Sequence, residues 1–281
     1  MIGEFFKMMS YPFMSRAFIV GILVALCASL LGVSLVLKRY SMIGDGLSHV
    51  GFGALAVATA FSTVPMLFSI PAVLIAAFVM LRINEKHKMN GDAAVALIST
   101  GSLAVGVMVI SFTSGANIDV YNYMFGSILA LSRWDVILSS VLSGAILLLY
   151  VIFYSKIFSV TFDEDFSKAS GTNAGFYNLI IAALTALTVV IGMKLVGTLL
   201  ISALIIFPPL SAMKIFKSFK GVTVCSAVLS IMCFVIGIEL SYFLSTPAGA
   251  SVVCVNILAF AAFSAVGHLK NRFFTVSQRS K

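Results

Sequence analysis

The chain has 281 residues, of which 60% are hydrophobic and only 10% charged. A soluble domain carries about 25% charged residues, so this composition excludes a soluble enzyme or binding module and leaves an integral membrane protein. The formal charge of +8 does not point to nucleic acid, because the basic residues lie between long apolar runs rather than in one patch.

A helix that crosses a bilayer needs about 20 apolar residues, within a range of about 17–25. That rule places candidate spans at about 14–37, 41–62, 64–81, 93–113, 135–158, 177–195, 196–213, 222–244 and 251–269. The fold class is therefore all-α, a polytopic membrane protein of about eight or nine transmembrane helices in one domain over residues 1–281. Phe18–Leu37 is too long for the apolar core of an ordinary signal peptide and lacks a clear small-residue cleavage site, so it reads as the first span. Met1–Tyr11 fits an interfacial stretch, and Phe125–Leu131, too short to cross, fits a re-entrant or interfacial helix. Cys27, Cys225, Cys233 and Cys254 lie inside apolar runs without C-x-x-C spacing and read as small buried hydrophobes.

Basic residues orient these spans. With nine spans drawn, Lys38 and Arg39, Arg82 and Lys86, Lys156 and Lys168, Lys214 and Lys217, and Lys270 and Arg272 all fall on one side. That side reads as the cytoplasm, with the C-terminus in it. No repeat of 20–50 residues is visible, so any two-fold symmetry in the mechanism has to come from a second subunit.

The second span carries the unusual chemistry. Within Tyr40-Ser-Met-Ile-Gly-Asp45-Gly-Leu-Ser-His49-Val-Gly-Phe-Gly53, an aspartate and a histidine stand four residues apart, one helical turn, on one face. At ~1.5 Å per residue Asp45 lies roughly 9 Å past Arg39 and His49 roughly 15 Å past it, near the midplane of an apolar core about 30 Å thick. An ionisable pair at that depth is costly and is by default a functional candidate. One carboxylate and one imidazole suit a first-row transition metal, although two ligands fall short of the four of a structural zinc site. A helix–helix hydrogen bond, from Asp45 to His49 or to the Ser41 and Ser48 hydroxyls, is the plainer alternative. Gly44, Gly46, Gly51 and Gly53 allow close approach by another helix, or a local break in this one.

Farther along, Asp163, Glu164 and Asp165 suit the N-terminus of a short helix within the connector 161–175, and Gly171 suits its end. Pro208 and Pro209 are expected to interrupt a helix after Phe207. Glu239 precedes an external turn, where it would attract cations at an entrance or reach the interface. Asp119 reads as an external solvated residue or a surface contact, and His87 and His268 have no ligand partner at useful spacing. No phosphate-binding G-x-x-x-x-G-K-[S/T] loop, nucleophile elbow or H-E-x-x-H occurs. The expectation is that the chain is no enzyme and that any ATP hydrolysis belongs to a partner subunit.

These residues carry a resemblance. Asp45-x-x-Ser48-His49 after Lys38-Arg39 resembles the second-helix signature of the permease subunits of zinc and manganese ABC transporters. Phe162-Asp-Glu-Asp-Phe-Ser-Lys-Ala-Ser-Gly171 resembles that family's cytoplasmic segment, Leu195–Pro208 its Gly-x-Leu-Leu…Pro helix, and Leu240–Ala250 its late external turn. Together they cover most of the chain in the family's order. The departures are Ser167 where alanine is common, Val50-Gly-Phe-Gly53 after the histidine, and Pro208-Pro209-Leu-Ser in place of Pro-Ala-Ala-Thr.

The resemblance implies a permease importing a divalent metal ion, zinc favoured and manganese or iron the alternatives, in a prokaryotic plasma membrane. It implies a homodimer, cytoplasmic ATP-binding subunits docked at Phe162, Asp163, Glu164, Ala169, Ser170 and Gly171, and an extracytoplasmic metal-binding receptor protein. Asp45 and His49 are then a transient permeation site. The rival reading is a self-sufficient secondary carrier or channel in which the same pair relays protons.

Overall fold

The computed structural model of the protein describes residues 11–61, 65–86, 91–112, Gly126 and 133–279. The stretch 1–10, His87, Asp119 and the Phe125–Leu131 segment apart from Gly126 lie outside the described residues. Every regular element among the described residues is a helix: α1 (Pro12–Leu37), α2 (Met42–Ala60), α3 (Pro65–Lys86), α4 (Gly91–Phe112), α5 (Arg133–Ile152), α6 (Tyr154–Phe162), α7 (Glu164–Ala169), α8 (Ala174–Val196), α9 (Thr198–Ile215), α10 (Phe219–Leu244) and α11 (Ala248–Arg279).

Eight of these are long and apolar enough to cross a membrane. The ninth long helix is α2, with 19 residues. It is long enough, but Asp45, His49 and the four glycines dilute its apolar character below that of its neighbours. Burial replaces hydropathy there: Ile43, Leu47, Val50, Phe52 and Leu55 are all buried among the surrounding helices.

Small residues set how tightly α2 is held. A Cβ on Gly46 would meet Val95 of α4 at 2.6 Å, and one on Gly53 would meet the backbone oxygen of Ser102 at 2.5 Å. Gly106 of α4 faces the Gly53 Cα, so the two backbones cross glycine against glycine. The expected close approach is realised without a break in the helix. The core proper joins α1, α2, α8 and α9 through Leu31, Leu47, Ile191, Leu200, Ile201 and Leu204. The outward faces of α4 and α5 carry exposed Leu97, Val105, Ile137 and Val141, as lipid-facing helices do.

Two expectations are corrected. The span drawn at 135–158 breaks at Phe153, because Tyr154 and Phe158 pack on Phe219 of α10, with ring centroids 5.6 and 4.9 Å apart, and bury Ile157 and Val160 beneath them. Pro208 and Pro209 do not end their helix: α9 runs through both to Ile215. Pro209 cannot donate to the Ile205 carbonyl, and Gly32 of α1 packs against that carbonyl so closely that a Cβ would overlap it. Between α8 and α9 a single residue, Gly197, turns the chain at φ 83 and ψ 164, a conformation essentially confined to glycine.

Several of the basic-flanked helix ends gather. Lys38 meets Glu164, Phe158 meets Phe219, and Gly267 packs on the backbone of Lys214, all at one end of the bundle.

Candidate metal site and coupling segment

Asp45 stands in the first turn of α2 and His49 one turn on. The His49 Nε2 and Asp45 Oδ2 atoms are 3.6 Å apart. That is too long for a hydrogen bond but suits a shared cation. Ligand distances of about 2.1 Å place two ligand atoms of a tetrahedral ion roughly 3.4 Å apart. The Asp45 and His49 side chains are 38% and 27% exposed, whereas Gly44, Gly46, Leu47 and Ser48 beside them are buried. The pair therefore lies on a half-open face of α2.

The carboxylate has a partner that sequence reasoning missed. Ser202 of α9 donates to Asp45 Oδ1 at 3.1 Å, and its hydroxyl also lies 3.1 Å from the Thr198 carbonyl. The expected hydroxyls do not serve: Ser48 donates to the main-chain oxygen of Asp45 at 2.7 Å instead. Ser202 fixes one carboxylate oxygen and leaves the other toward His49. Within an apolar run a lone serine gives no signal; only its helix register against α2 reveals it. Among the described residues no third His, Cys, Asp or Glu joins the pair. Glu239 sits half-buried on α10, without a hydrogen bond or ion pair to Asp45 or His49, and His268 is exposed near the far end of α11.

The connector 161–175 folds as its residues predict. Asp163 caps α7, its side chain accepting from the Phe166 N–H at 2.9 Å. The chain leaves the helix through Gly171 at φ 81. Ser167, in place of the commoner alanine, is fully buried; its hydroxyl lies 2.7 Å from that of Ser159 on α6 and donates to the Asp163 carbonyl. Phe162 and Phe166 are left 76% and 68% exposed, an apolar pair standing clear of the bundle end. Burial alone would raise the Glu164 carboxyl, but donors from Lys168, Lys38 and Asn178 and the Lys38 charge outweigh it and hold it at about 2.

Known proteins share this arrangement along most of the chain. The ABC 3 transport family matches residues 10–267, and the chain belongs to that family. It is similar to the high-affinity zinc uptake system membrane protein ZnuB of Buchnera aphidicola, 31% identical over 256 residues, 90% of this chain and 96% of that one. The manganese import system permease protein ScaB of Streptococcus gordonii is 28% identical over 261 residues, 92% and 94% of the two chains. A solved structure of PsaBC from Streptococcus pneumoniae in complex with Fab matches with a TM-score of 0.83 at 29% identity, covering 94% of this chain and 95% of that one.

Proposed function

We propose that the chain is the membrane-embedded permease subunit of an ATP-binding-cassette importer for a divalent transition metal ion, zinc favoured over manganese and iron. The observation that carries this reading is the Asp45–His49 pair, with ligand atoms 3.6 Å apart and a second helix, α9, holding the carboxylate through Ser202. Relatives named for zinc and for manganese uptake support the ion class. Membership in an ABC family favours a partner-driven device over a self-sufficient carrier.

The half-open face of α2 supports a homodimer. A charged group left toward lipid at mid-membrane costs about 2.5–3.5 kcal/mol on insertion scales, and a second copy of the same face would cover both pairs. Two Asp and two His then bind an ion in passage rather than retain it. At the other end, exposed Phe162 and Phe166 on a capped, buried-anchored helix suit an ATP-binding subunit bearing on the segment Phe162–Gly171. That end is cytoplasmic in this reading, with the C-terminus beside it, and an extracytoplasmic receptor protein delivers the ion to the opposite end. ATP is hydrolysed by the partner and not by this chain.

The test is reconstitution in vesicles with the ATP-binding subunit and receptor, comparing uptake of zinc, manganese and iron. Uptake that needs ATP and fails without the partner supports the proposal. Ion flux by the chain alone under a proton gradient would sink it in favour of the carrier.

A further inference from the structure

Lys38 enters the sequence pattern as a marker of sidedness and as a flank of the Asp45–His49 signature, yet its side chain is one of the more buried charges in the described structure. Its side chain is 8% exposed, and its ammonium lies 3.0 Å from Glu164 Oε2. It also donates to the Asn178 side chain, on the first turns of α8, and Asn178, itself 4% exposed, donates to the same Glu164 oxygen at 3.2 Å. Lys168 holds the other oxygen of Glu164 at 2.9 Å. Three separate pieces of chain thus meet at one carboxylate: the end of α1, the first residue of α7 and the start of α8.

The backbone around Lys38 makes the cluster more than a surface ion pair. Lys38 caps α1, with its N–H on the Ser34 carbonyl at 3.0 Å. Arg39 then takes φ 62, and the chain folds back so that the Tyr40 N–H bonds the Leu35 carbonyl at 2.8 Å. The Tyr40 carbonyl in turn accepts from the Ile43 N–H at 3.0 Å, inside the first turn of α2. The turn is hydrogen-bonded into both helices, and Leu35, Ile43 and Leu47 anchor it in the core. Asp45 lies seven positions beyond Lys38, in that same first turn. A displacement applied to Lys38 reaches Asp45 through hydrogen-bonded backbone at every step.

We propose that the Lys38–Glu164–Asn178 cluster is the link through which the coupling segment positions the ion-bearing helix. It ties α7 to the turn that launches α2, so that movement of α7 shifts the Asp45–His49 face. This rests on the reading of α7 as the segment on which an ATP-binding subunit bears. Lys38 is a positioning residue, touching neither the ion nor the nucleotide.

The test uses the full transporter in vesicles with its ATP-binding subunit and receptor. In Lys38→Met the complex assembles at normal stoichiometry and hydrolyses ATP. Hydrolysis no longer responds to the metal-loaded receptor, and uptake per ATP falls roughly tenfold, the scale of a lost coupling contact. A charge exchange, K38E with E164K, built on K168Q so that the new lysine has no like charge one turn away, restores uptake per ATP. Normal coupling in Lys38→Met would overturn the inference. Failure of the complex to assemble in Lys38→Met, with no rescue by the exchange, would also overturn it and leave the cluster a structural tie only. Failure of the unaltered chain to hold an ATP-binding subunit would instead sink the underlying reading of α7.

Discussion

Two carboxylates in this protein begin alike and end differently. Asp45 and Glu164 each stand near a helix start, and each has a basic partner four residues on, His49 and Lys168. Glu164 accepts from Lys168, Lys38 and Asn178 within 3.2 Å, so both its oxygens are committed. Among the described residues, the Asp45 side chain accepts from Ser202 alone at hydrogen-bonding distance, with His49 standing off at 3.6 Å. A carboxylate saturated with donors is a tie, since another cation would have to displace what is already there. One with a free oxygen facing an imidazole has capacity for an ion that must also leave. The chemistry of the residue is the same; the number of donors brought to it decides its role.

The hardest test of this contrast removes the under-filled site. Asp45→Ala or His49→Ala should lower uptake by roughly a hundredfold or more, since even outer partners of metal ligands cost about 10–100-fold. Assembly with the ATP-binding subunit, measured by co-purification, should stay intact because neither side chain holds the fold together. Full uptake by either variant would remove that residue from the path.

Ser202→Ala should act more weakly. It leaves both ligands in place but frees the carboxylate to rotate, and apparent affinity for the ion in uptake assays should fall about tenfold. Ser202→Thr, which keeps the hydroxyl, should recover most of it. Equal loss in both variants would mean that packing on α9, not the hydrogen bond to Asp45, is what matters.

How much of the molecule was legible in the sequence depends on the range of each interaction. Local signals read well: the Asp163 cap, the Gly171 stop and the one-turn spacing of Asp45 and His49 are set by residues within a few positions of one another. The apolar runs located the long helices, although the ends of α5 and α11 lie several residues from the spans drawn, and the basic flanks Lys38 and Lys214 fall at one end of the bundle. Long-range partners were invisible. Ser202 reaches Asp45 from 157 positions away and Lys38 reaches Glu164 from 126, and nothing in the sequence names either partner. Proline chemistry misled as well: α9 runs on through Pro208 and Pro209, with Gly32 of another helix packed on the Ile205 carbonyl. Phe153 likewise hides a break that aromatic packing on Phe219 produces.

Acid separates the two carboxylates further. Glu164 is held at about 2 against an ordinary value of 4.5. A depressed carboxyl contributes stability above its unfolded value, and loses that contribution as pH falls through the folded one. The stabilisation that Glu164 gives the attachment of α7 should therefore be complete above about 4.5, decline as pH falls below that value and be gone near 2. Hydrogen exchange of residues 164–169 across that window is the measurement. Glu164→Gln should remove this acid transition; an unchanged profile in the variant would assign it to another group.

The smallest expected effect isolates the fold of α7 from its tie to Lys38. Asp163 is an N-cap with a 2.9 Å bond to the Phe166 N–H and takes no part in the Glu164 cluster. Asp163→Ala should cost about 1 kcal/mol of local stability, the ordinary worth of such a cap, seen as faster exchange at Phe166 and Ser167. Because Ser167 stays buried and bonded to Ser159, the helix should loosen at its first turn without detaching. Uptake should then fall far less than in Lys38→Met, because the connection to α2 runs through Glu164 and not through the cap. A loss as large as that in Lys38→Met would mean that the rigidity of α7, rather than its attachment to α1, limits transport.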